Sequence, residues 1–98
     1  MKIAKSNISG LSAESAAIFN RLATEFEITD SAGLVLLKSA CECLDRISAA
    51  RALIASSGLV VDGPAGWKAH PAAALERDAR TQLHSALRLL KLDPEVAE

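Results

Sequence analysis

From the Thr29-Asp30-Ser31 cap to Gly58 the chain shows helical character for 27 residues, and no other feature constrains its fold as much. Asp and Ser accept from the free N–H groups of a first turn, and glycine is the usual residue past a last one. The apolar positions of this helix are Leu34, Leu37, Cys41, Leu44, Ile47 and Ile54. Lys38, Glu42 and Arg46 follow at i, i+4 steps as a solvent-facing ion ladder. Two details do not fit a helix buried on one face only. Val35 and Leu53 project on the charged side, and Arg51 falls inside the apolar arc. Contact with another subunit accounts for both, and a snorkelling arginine accounts equally well for the second.

The other segments must pack against this helix. Ser12 caps a shorter one, with Glu14 in its first turn and Ile18, Leu22 and Phe26 forming a stripe beside Phe19 and Ala23. It should end near Glu27. After Gly58 the period changes. Leu59-Val60-Val61, a Gly/Pro loop at 62–66 and Trp67-Lys68-Ala69 read as a small β-hairpin with Trp67 as its anchor. Pro71 suits the first turn of a last helix running to about Lys91 and burying Leu75, Ala79, Leu83, Ala86 and Leu90. His70 either caps that helix, packs on Trp67 or faces solvent. The expected fold is therefore mainly α: short, long and medium helices, with the hairpin between the second and third. Residues 11–94 form one domain, preceded by a flexible arm (1–10) and followed by a short acidic tail (95–98).

Composition narrows the function. Nineteen alanines and only three aromatic residues leave leucine, isoleucine and valine to fill a small core, so self-association is a natural supplement. Eleven basic against twelve acidic residues exclude a strongly basic nucleic-acid coat, though not a local basic face. Two cysteines are too few for a disulfide-stapled secreted domain, and no apolar run reaches the ~20 residues of a membrane span. A soluble protein of a reducing cytoplasm is expected.

Catalytic and metal chemistry find little support. Cys41 and Cys43 at i, i+2 point about 200° apart on a helix, and neither His70 nor His84 stands at a zinc-ligand spacing from them. They read as buried small apolar groups. There is no phosphate-cradling glycine loop, no nucleophile elbow, no tyrosine and no partner for His70 as a base. No enzymatic activity, metal or cofactor is expected. One charge pattern stands out. Projected at 100° per residue, Arg77, Arg80, His84, Arg88 and Lys91 fall within an arc of about 80° and run for about 20 Å. Such a stripe suits DNA phosphates. The other reading is a solvated face, with Arg88 and Lys91 complementing the helix C-terminus, since surface charge runs are common. Lys2 and Lys5 on the arm are a second candidate.

Leu11-Ser12, the long central helix, Gly58-Leu59-Val60, Gly66-Trp67-Lys68-Ala69-His70-Pro71 and Leu90-x-Leu92-x-Pro94 together resemble a phage terminase small subunit of the P27 family. The resemblance covers about residues 11–94. It implies a non-enzymatic component of viral genome packaging in the host cytoplasm, which forms a ring-like homo-oligomer. The ring binds double-stranded viral DNA and presents it to a large subunit that carries the ATPase and nuclease. Val35, Leu53 and Trp67 are then the expected ring contacts, a closed ring requiring head-to-tail interfaces. Such proteins often carry a longer basic N-terminal segment, whereas ten residues precede Leu11 here, so DNA contact rests on the last helix. A helical adaptor that oligomerises and ignores DNA is the alternative.

Overall fold

The computed structural model describes residues 7–58, 60–63 and 66–92. Lys2, Lys5 and the acidic tail lie outside the described residues, and so does the side chain of Trp67. The chain is mainly helical, with helices α1 (Ala13–Glu25), α2 (Ser31–Ser57) and α3 (Pro71–Leu89). Between α2 and α3, strands β1 (Val60–Gly63) and β2 (Gly66–Ala69) pair antiparallel, with Val60 opposite Ala69 and Gly63 opposite Gly66.

Each helix begins on a side-chain cap. The Ser12 Oγ accepts from the Ser15 N–H at 3.1 Å, and Asp30 Oδ2 accepts from the Gly33 N–H at 2.8 Å. His70 caps α3, its Nδ1 accepting from the Ala72 N–H at 3.0 Å, with Pro71 in the first turn. The ends are less conventional. Gly58 closes α2 at φ 83°, but α1 and α3 end on left-handed residues that are not glycine, Glu27 (φ 51°) and Lys91 (φ 60°). Both ends carry the paired bonds of a Schellman motif. The Ile28 N–H donates to Ala23 O and Glu27 N–H to Thr24 O; the Leu92 N–H donates to Leu87 O and Lys91 N–H to Arg88 O.

A rod of 27 residues is about 40 Å long, whereas α1, with 13, covers about 20 Å. That mismatch organises the molecule. α1 lies antiparallel to the N-terminal half of α2, and Phe19, Ala23, Ile28, Leu37 and Cys41 form the main buried cluster, flanked by Leu90 and Leu92. α3 returns antiparallel along α2, as the Arg51–Glu76 and Arg46–Gln82 contacts show. Small residues fill this second seam. Ala40, Cys43 and Ala50 on α2 and Ala72, Ala79 and Ala86 on α3 are all buried.

Leu75, expected in the core, is instead 62% exposed. The alanine seam lets the two helices approach closely and leaves larger side chains on its flanks. Leu83 and Leu90 stay half-buried, while Leu75 lies where α1 no longer reaches. The radius of gyration is 16.3 Å, against roughly 12.5 Å for a globular domain of this length. The extents, 53 × 37 × 20 Å, describe a thin slab.

Candidate nucleic-acid interface

Of the five residues assigned to the basic stripe, four stand on α3. Arg77, His84 and Arg88 are exposed, and Arg80 is half-buried. Lys91 does not continue the stripe. It lies two residues past the helix at positive φ, so a projection at 100° per residue does not apply to it. Arg77, Arg80 and His84 line one shallow depression together with Glu76 and Thr81.

The stripe is partly neutralised from within. Glu76 Oε1 accepts from Arg80 Nη2 at 3.0 Å and from Arg51 Nε at 2.9 Å. The Arg80 hydrogen bond does most to lower the Glu76 pKa; with the Arg51 bond it outweighs desolvation, which acts the other way. Glu76 therefore stays ionised at neutral pH and ties α2 to α3. Arg77 Nε lies 3.5 Å from Asp78 Oδ1, both side chains being largely exposed. Arg88 makes no ion pair among the described residues. Arg51 is thereby explained within one chain, by its bond to Glu76.

The other flank of α3 differs. Leu75 and Leu89 project about 175° and about 135° from the mean direction of Arg77, Arg80, His84 and Arg88, and Leu89 is 69% exposed. Leu75 joins Leu53 of α2 in lining an open groove of about 550 Å³, floored by Ala49, Ala50 and Ala79. Val35 and Leu53, the expected interface residues, are exposed at 69% and 51%. They share one face of α2, eighteen residues or about 27 Å apart. Arg46, expected in an ion ladder with Glu42, turns to α3, where its Nη1 donates to Gln82 Oε1 at 3.4 Å.

Cys41 and Cys43 are buried and unpaired. Burial, helped by Asp45 and Glu42, pushes the Cys41 thiol up to about 11, which makes it an inert core group at neutral pH. Among the described residues no three His, Cys, Asp or Glu converge as a metal site, and no helix is long and apolar enough to cross a membrane.

Sequence reasoning missed the cluster that positions α1. Asp45 Oδ1 accepts from the Ser12 and Ser15 hydroxyls, each at 2.6 Å, and its Oδ2 accepts from the Ser12 N–H at 2.9 Å. Desolvation raises the Asp45 pKa, but these bonds outweigh it and hold the carboxyl below its usual value. The visible signal was a Ser-x-x-Ser cap facing an acid about thirty residues on, which only the folded chain brings together.

Residues 15–97 match the family model described as phage terminase, small subunit. Neither a curated protein nor a solved structure matches the chain.

Proposed function

Because this chain belongs to the phage terminase small-subunit family, we propose that it acts without chemistry of its own, as a ring-like homo-oligomer. The ring binds double-stranded viral DNA and presents it to the large ATPase/nuclease subunit in the host cytoplasm. The order of hairpin, His70-Pro71 and Leu90-x-Leu92-x-Pro94 supports placing it in the P27 branch. The observation that carries the reading is the division of α3 into opposite flanks, Arg77, His84 and Arg88 on one and Leu75 and Leu89 on the other. A neighbouring subunit on the apolar flank leaves the arginines open to phosphate. Val35, Leu53 and Trp67 belong to the subunit contacts in this reading. The DNA contacts are Arg77, Arg80, His84 and Arg88, with Lys91, Lys2 and Lys5 adding charge at the margins.

The test is fluorescence anisotropy of a labelled duplex against salt. Expected is a log–log slope of about −2 to −3 per engaged subunit, from some three phosphates each. The variant Arg77→Ala/Arg80→Ala/Arg88→Ala should lose binding while keeping its native mass. Salt-independent binding, or an unaffected triple variant, overturns the assignment.

A second reading is favoured by one observation: Glu76 and Asp78 lie against two of the three arginines. On that reading the chain is an oligomeric adaptor that leaves DNA alone. It expects no anisotropy change even at low salt.

A further inference from the structure

We propose that Arg51 is a positioning residue for the basic stripe: by holding Glu76 from α2, it lets Arg80 exchange that carboxylate for a DNA phosphate. This rests on the DNA-binding reading above and adds to it a residue outside α3. A single oxygen, Glu76 Oε1, accepts from both guanidinium groups, at 2.9 Å from Arg51 Nε and 3.0 Å from Arg80 Nη2. The two arginines stand on different helices, and the Glu76 side chain is only 21% exposed. A carboxylate so sheltered is costly to leave without a cation. When Arg80 turns to a phosphate, Arg51 remains as the partner of Glu76. Without Arg51 the same move strands Glu76, so Arg80 stays on it.

Charge placement separates the roles of the two arginines. Arg80 stands on the boundary between two depressions. In one it lies with Arg77 and His84, the exposed cations of the stripe. In the other it lines a cleft between the three helices with Arg51, and there Glu14 and Asp45 supply two carboxylates. Asp45 is engaged by Ser12 and Ser15, whereas Glu14 is exposed and makes no ion pair among the described residues. A phosphate approaching Arg51 meets the field of those carboxylates. One approaching Arg80 from the side of Arg77 and His84 meets cations. Arg51 therefore acts through Glu76 and does not itself touch the duplex.

The experiment is anisotropy of a labelled duplex titrated against salt with the full chain, Arg51→Ala and Arg51→Lys. Arg51→Ala is also placed in the Glu76→Gln chain and in the Arg80→Ala chain. Far-UV circular dichroism checks that the helices of each variant persist, and a smaller folded fraction lowers the active concentration without changing the slope. Arg51→Ala should weaken binding by about two- to fivefold per engaged copy and flatten the log–log slope by up to about one unit. Arg51→Lys, which keeps a cation for Glu76, should restore most of both. In the Glu76→Gln and Arg80→Ala chains, adding Arg51→Ala should bring no further change, because the interaction it acts through is already gone. A further loss in the Glu76→Gln chain would make Arg51 a phosphate contact in its own right and overturn the proposal. A further loss confined to the Arg80→Ala chain would place the effect in the tie between α2 and α3, and overturns it equally. Wild-type affinity and slope in Arg51→Ala overturn the role of Arg51 and leave the DNA-binding reading standing. A full chain that ignores the duplex at low salt overturns both.

Discussion

Replacing Asp45 with alanine removes three hydrogen bonds at once, all of them from the first turn of α1 and its cap. Bonds to a charged acceptor contribute about 1.5–3 kcal/mol each when sheltered. Ser12 is exposed, so its two bonds are discounted for solvent to about 0.5 kcal/mol apiece. Ser15 is buried, and its hydroxyl would lose its acceptor, at about 1 kcal/mol. The sum, about 2 kcal/mol, corresponds to a fall in Tm of roughly 8–16 °C for a domain of this size. Thermal and urea denaturation followed by circular dichroism read it directly. The acid side supplies a second check. The folded pKa of Asp45 lies below its ordinary value of 3.8, so the carboxylate stabilises fully above that pH. Its contribution is lost as pH falls through the lowered folded value, and the gap between wild type and Asp45→Ala should close there. Ser15→Ala in the Asp45→Ala background should add little, because both changes delete one interaction. A gap below about 0.5 kcal/mol at pH 7, or one that persists unchanged into strong acid, would refute the reasoning.

Glu27→Gly should stabilise the chain by about 0.5–1 kcal/mol, because glycine adopts the left-handed end of α1 without the steric cost that Glu27 bears. A lowered urea midpoint would show the strain assignment to be wrong. Glu76→Gln should free Arg80 from its carboxylate and steepen the salt dependence of duplex binding by up to about one unit of slope. Unchanged slope and affinity would place Arg80 outside the DNA contacts.

The capping chemistry was legible from sequence because it is local. Ser12, Asp30, Gly58 and Pro71 mark helix boundaries through their own backbone and side-chain preferences, and the boundaries of α2 and the start of α3 fall at those residues. Exposure of Val35 and Leu53 was legible too, since angular position on a long helix is fixed by its pitch. Leu75 was not. Its fate depends on where α1 stops along α2 and on how closely an alanine seam draws α3 inward, and neither is encoded within α3. Lys91 was misplaced for a related reason. A helix that ends on a left-handed lysine gives no glycine signal, so the projection ran two residues too far. Glu76 stood outside the arginine arc in projection, yet it holds Arg80 and Arg51 together because α2 supplies a cation that no single-helix diagram contains. Gly33 is a further case. A Cβ there would lie 2.8 Å from both Asp30 Oδ1 and Ile28 Cγ2, so the cap folds back over it in a way that spacing alone does not disclose.

These tertiary details bear on how weakly one copy can hold DNA. On and beside the stripe the four arginines Arg51, Arg77, Arg80 and Arg88 stand with the two carboxylates Glu76 and Asp78, so a single subunit offers only a small net positive charge to a duplex. Phosphate affinity scales with the number of neutralised charges, and one copy neutralises few. Repetition changes the arithmetic, because linked copies engage one duplex at high effective concentration once the first has bound. The apolar flank of α3 is what would supply that repetition, and it lies on the side of the helix away from the arginines. A near-neutral chain is then compatible with a DNA-binding assembly, provided that assembly comes first. In the proposed ring reading, the partial neutralisation is expected also to keep the free subunit from collecting on arbitrary nucleic acid, since its few available charges are screened at physiological salt.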